Sequence, residues 1–256
     1  MNNFFNLKRF SRLFIKHSSE HYKTYLMGLA VLIGVMVFGG FCLVYIIPEP
    51  LNENVQTGMF VSLMLMAGTL FTSTIFSDLA NNKKATATLM LPASHFEKYL
   101  VGWLFSYLIF QIVFTGIFYL ILLFLLHLRD WPNMPVMVFN IFDGRRRTLF
   151  VMFAFLQSIS LFGAIFFEKL HFIKTAFIFF IGLFLAVLLN TICMKTLVHQ
   201  EIKPVVPFGF VNFTQNNHFY SLSIIGKNGD WVFYLLMVIT VMVWIASYFR
   251  LKEKQL

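Results

Sequence analysis

Apolar residues in this chain come in six long runs set apart by short polar stretches. The runs are Thr24–Ile47, Gly58–Ser77, Tyr99–Leu128, Leu149–Phe167, Thr175–Met194 and Trp231–Phe249. Each supplies about 20 mostly apolar residues, the length a helix needs to cross the hydrocarbon layer of a bilayer. Apolar residues are continuous within the runs rather than alternating, which excludes a membrane β-barrel. The pattern predicts an all-α integral membrane protein with six transmembrane helices. The first run is too long for a secretory signal core, and no A-x-A-like cleavage site follows it.

Ahead of the first run lies "NNFFNLKRFSRLFIKHSSEHYK". At helical spacing Phe4, Leu7, Phe10, Phe14 and Ile15 gather on one arc, and Lys8, Arg9, Arg12 and Lys16 on the opposite one. That pattern predicts an amphipathic helix over residues 1–23 lying in the membrane interface, apolar side down, with its bases against phosphate groups. The six-helix unit then occupies residues 24–256.

Between the second and third runs, residues 78–98 carry more structure than a hairpin needs. "KATATLML" holds good helix formers and predicts a short surface helix. Pro92 has no amide hydrogen and disfavours helix at the residue before it, so this helix should stop near Leu91. Ser94 and Glu97 then form an S-x-x-E capping box, which starts a new helix at about His95. A second long polar stretch, residues 195–230, is rich in aromatics and holds two prolines.

Composition strengthens the membrane reading. The chain is 59% hydrophobic and 12% charged, with 34 Phe and 13 Met. Soluble domains run at about 45–50% and 25%, so the excess apolar surface must face lipid. No hydrophilic segment is long enough for a soluble catalytic domain. The net charge of +9 sits beside the spans, where it matches anionic headgroups rather than nucleic acid. With the N-terminus inside, thirteen of the 20 Lys and Arg fall in inner segments and seven in outer ones. That bias places both termini in the cytoplasm. Arg145, Arg146 and Arg147, in an outer segment, depart from it. Cys42 and Cys193 lack C-x-x-C spacing and read as buried thiols.

The chain lacks the residues of an engine. There is no G-x-x-x-x-G-K-[ST] to cradle ATP, so any ATP is used by a partner. Neither H-E-x-x-H nor G-x-S-x-G occurs, and we assign no catalytic, cofactor-binding or metal-ligating residue. His17 and His21 flank Glu20, but in a basic leader they read as solvated surface. Ionisable side chains are almost missing from the spans, which argues against a proton- or ion-coupled pump. Their polar residues are neutral, and Gln111, Gln157 and Asn190 are candidates to face a transport pathway or to tie the bundle. No repeat relates the two halves, as many secondary transporters would require.

The stretch "ATATLMLPASHFEKYLVGWL" resembles the "LPxSxxEKxL" segment of bacterial permease subunits of type-2 ABC exporters. The order of amphipathic segment, six spans and long last outer loop is similar to that family along the whole chain. The resemblance implies an elbow helix before six spans and a coupling helix that docks on a separate ABC ATPase subunit, which binds ATP and Mg. Leu89, Met90 and Leu91 would then touch the ATPase, and Pro92, Ser94, Glu97 and Lys98 would set the corner behind them. It further implies a second permease copy, a bacterial inner membrane location and export of an amphipathic substrate such as a lipid, peptide or antibiotic. Outside the family stand two alternatives, a non-transporting membrane assembly or immunity protein and a membrane-embedded enzyme acting on lipid or peptide.

Overall fold

The computed structural model describes residues 5–47, 49–75, 93–129, 137–141, 147–167, 170–199, 202–207, 209–215, 218–223 and 230–253. Six helices in it are long and apolar enough to cross a membrane, as a multi-pass membrane protein requires. Helix α1 (Leu7–Ile46) is capped by Asn6, whose side chain accepts from the Lys8 amide. Helix α2 is Glu53–Ile75. The third span begins as α3 (His95–Trp103), widens into a π-helical segment (Leu104–Ile109) and continues as α4 (Phe110–His127). Helices α5 (Arg147–Phe166), α6 (His171–Val198) and α7 (Asp230–Glu253) complete the set.

Helix α1 corrects one expectation. Residues 7–23 do not form a separate helix ahead of the first span; they are the start of one 40-residue helix. At 1.5 Å per residue it is about 60 Å long, twice the roughly 30 Å hydrocarbon layer. Part of its apolar arc faces protein. Phe10, Leu13, Phe14 and Tyr25 pack onto a cluster of Ile75, Tyr99, Val101, Phe105, Leu161, Ile165 and Leu251. Leu7 and Ile15 point outward instead, and Phe4 lies outside the described residues. Of the five arc residues, protein covers Phe10 and Phe14.

This cluster collects the start of α1, the end of α2, the start of α3 and the ends of α5 and α7, so it defines one end of the bundle, called the base below. Toward the far end a second core gathers Met36, Phe60, Met64, Phe114, Phe118, Leu122, Leu125, Phe139 and Phe153. Phe60 sits 5.4, 5.0 and 5.3 Å, ring to ring, from Phe114, Phe118 and Phe139. In lipid no hydrophobic force draws helices together, so close fit and hydrogen bonds must do so. Gly163 shows the fit: a Cβ there would collide with Thr175 of α6. Helix α5 is the centre of the bundle, packed on α2, α6 and α7. Helix α6 is its opposite, with no buried residue.

Residues 137–141 fold back into the far end. An irregular backbone at such a place must have its polar groups met by protein. Gln56, fully buried, donates to the Leu51 and Met137 carbonyls and accepts from the Phe139 amide at 2.7 Å. The Tyr119 hydroxyl donates to the Phe139 carbonyl and accepts from the Ile141 amide. The long stretch after α6 contains an antiparallel hairpin of β1 (Phe210–Gln215) and β2 (His218–Ser223), paired from Phe210↔Ser223 to Gln215↔His218. Among the described residues it is one two-stranded element beside the helices.

Candidate functional site

The base of the third span brings together the residues singled out by the corner motif. Ser94 takes an extended backbone (φ −67°, ψ 155°) and caps α3. Its hydroxyl accepts from the Glu97 amide at 3.1 Å, and Glu97 Oε2 accepts from the Ser94 amide at 2.9 Å. The expected capping box is therefore formed, and α3 starts at His95 as the sequence predicts. Leu89, Met90, Leu91 and Pro92, the rest of the expected docking surface, lie outside the described residues.

Glu97 does more than cap its own helix. Its other oxygen, Oε1, accepts from the Asn6 backbone amide at 2.7 Å and from Arg9 Nη2 at 3.3 Å. Asn6 is the cap of α1. One carboxylate thus meets unsatisfied amides at the starts of two helices, where the helix dipole also favours negative charge. Glu97 is fully buried, while the Arg9 side chain is 35% exposed. A buried carboxylate is tolerable because its lone pairs are used. Lys98 is buried beside it.

A second grip comes from α7. Tyr99 donates its hydroxyl to the Trp244 carbonyl at 2.9 Å. The rings of Phe96 and Tyr99 both meet Tyr248 edge-on, at 6.1 and 5.8 Å. The start of the third span is held by α1 on one side and α7 on the other. Sequence reading found Ser94 and Glu97 but missed Asn6 as a partner and missed Tyr99 and Trp244 altogether. An asparagine just before "LKRF", a residue type favoured at helix N-caps, is the available signal for Asn6.

The candidate pathway residues separate. Gln157 is fully buried, donating to Ser106 Oγ and accepting from the Trp244 indole, both at 2.8 Å. It is a tie between the third span, α5 and α7. Asn190 donates to the Val205 carbonyl, and Thr191 accepts from the Val205 amide, so both pin the stretch after α6. Gln111 is half-buried, and its amide nitrogen has no hydrogen-bond partner among the described residues.

The histidine pair also departs from expectation. His17 and His21 are half-buried rather than solvated, with rings 4.6 Å apart, and His17 lies against Phe105 and bonds to the Tyr25 hydroxyl at 2.8 Å. Glu20 points away and pairs with Lys16. Among the described residues no group of three His, Cys, Asp or Glu is placed to hold a metal ion. Cys42 is half-buried and Cys193 exposed, against the buried thiols expected.

An apolar cleft of about 210 Å³ opens between α2, α5 and α6, with Met66, Thr69, Leu156, Thr175 and Phe179 on its walls. Its threonine hydroxyls donate to carbonyls one turn back in their own helices, so the cleft offers little beyond hydrocarbon contact. Compared with protein-family models, with curated proteins and with solved structures, the chain finds no match.

Proposed function

We propose that this chain is the membrane-spanning permease subunit of an ATP-driven transporter of the type-2 ABC exporter kind. The observation that carries the reading is the Glu97 junction, in which the helix leaving the expected docking segment is fastened to the start of α1. A force applied to residues 85–98 would reach two spans at once, one through the backbone of α3 and one through the carboxylate.

In this reading a separate ATPase subunit binds ATP and Mg and docks on Leu89, Met90 and Leu91 from the cytoplasm. Two permease copies form the pathway in a bacterial inner membrane, with both termini inside. Helix α1, at about 60 Å, is longer than the hydrocarbon layer, and in this reading its first turns extend into the cytoplasm in place of a separate elbow helix. Export of an amphipathic substrate agrees with an apolar cleft and with spans that hold almost no charge.

The test is a co-purified complex reconstituted in vesicles. Glu97→Arg sets a cation against Arg9 and two amides, and is expected to reduce substrate-stimulated ATP hydrolysis about ten-fold or more, a loss of 1.4 kcal/mol in coupling, while membrane insertion persists. Unchanged stimulation in Glu97→Arg counts against the docking role. A chain that transports with no nucleotide-hydrolysing companion ends the reading.

A further inference from the structure

The third span is not a uniform rod. Over Leu104–Ile109 its ladder widens, and the Phe110 amide reaches the Phe105 carbonyl, five residues back. Turns of this kind are rare, interrupt α-helices locally and are one of the few causes of a helix bend. This one lies between two anchored halves. Below it, α3 is fastened by Glu97 to α1 and by Tyr99 to α7. Above it, Phe110 stacks on Phe71 and Phe153, Phe114 and Phe118 join the Phe60 cluster, and Leu125 fills the space left by Gly40.

At the widened turn itself, directional bonds join the neighbours. Ser106 Oγ donates to the Trp103 carbonyl at 3.2 Å and accepts from Gln157 Nε2. Gln157 Oε1 accepts from the Trp244 indole. Ser106 and Gln157 are both fully buried. Packed cores resist gradual deformation, whereas a hydroxyl–amide bond can be exchanged in one step. Phe105 and Tyr107 also pack on neighbouring helices, but the directional bond that crosses onto the widened turn among the described residues comes from Gln157, so a bend concentrates there.

We propose that Leu104–Ile109 is the hinge of the third span and that Gln157 is its latch. The lower half of the span, His95–Trp103, swings as one body with the helix starts and ends fastened to it when Gln157 lets go of Ser106. The permease reading enters only for what drives the swing; the hinge is a property of this chain alone.

Hydrogen–deuterium exchange on the full chain in lipid nanodiscs, with no partner and no nucleotide, tests it. Amides of residues 104–110 are expected to exchange about ten-fold faster than those of residues 111–127. Gln157→Leu should raise exchange at 104–110 and leave 111–127 unchanged. Ser106→Ala, a smaller change that removes the same bond, should act likewise. Deleting Leu108, an exposed residue, takes out the extra residue and should lower exchange at 104–110 to the level of 111–127. Uniform protection across the span in the unaltered chain overturns the hinge. No local rise in both Gln157→Leu and Ser106→Ala overturns the latch. With no ATPase present, neither failure touches the permease reading, and failure of that reading leaves these expectations standing.

Discussion

Two buried polar side chains sit at opposite ends of the bundle and solve different problems. At the base, Glu97 faces donors only: two backbone amides and a guanidinium. At the far end, Gln56 faces two carbonyls and one amide of non-helical backbone. A carboxylate can only accept, and helix starts offer only donors. An amide both accepts and donates, as an extended backbone demands. Each residue type is dictated by the groups that surround it, although both are fully buried.

Exchanging the two chemistries breaks the comparison if it is wrong. Gln56→Glu sets a carboxylate against two carbonyls and is expected to cost the most, about 4 kcal/mol. Thermal unfolding in detergent reads this, and acidifying the buffer should narrow the deficit, because a protonated carboxyl regains one donor. A deficit that widens on acidification contradicts the assignment. Glu97→Gln points an NH2 group at amide or guanidinium donors and should cost about 3 kcal/mol, seen in the same assay. Tyr119→Phe removes one hydroxyl that serves Phe139 and Ile141. It sharpens the far-end half of the picture with an expected loss of about 1 kcal/mol. Equal losses in all three variants would mean that burial alone, not donor count, sets the cost.

Much of this architecture was legible in the sequence, for reasons that also explain what was not. Apolar runs set the six spans because lipid imposes length and continuity on each one separately. The Ser94–Glu97 box was legible because both partners lie within one turn. The amphipathic arc of residues 4–15 is legible as a pattern, but at Phe10 and Phe14 its neighbour is protein. Helical periodicity says that Phe10 and Phe14 need cover; it does not say whether lipid or Phe105 supplies it. Partners far apart in sequence, such as Asn6 with Glu97 or Gln157 with Ser106 and Trp244, leave no local mark. The π segment left none either. The hairpin did: "FVNFTQNNHFYSLS" holds β-forming residues on both sides of an Asn pair.

In the proposed reading an external ATP-hydrolysing subunit grips the corner ahead of α3. A photo-crosslinking amino acid placed at Leu91 in the full chain, activated in cells and followed by mass spectrometry of the adduct, tests it most directly. The expected product is an adduct with a subunit that carries a P-loop. Labelling of the same position from outside the cell by an impermeant thiol reagent, in a Leu91→Cys chain, would contradict it.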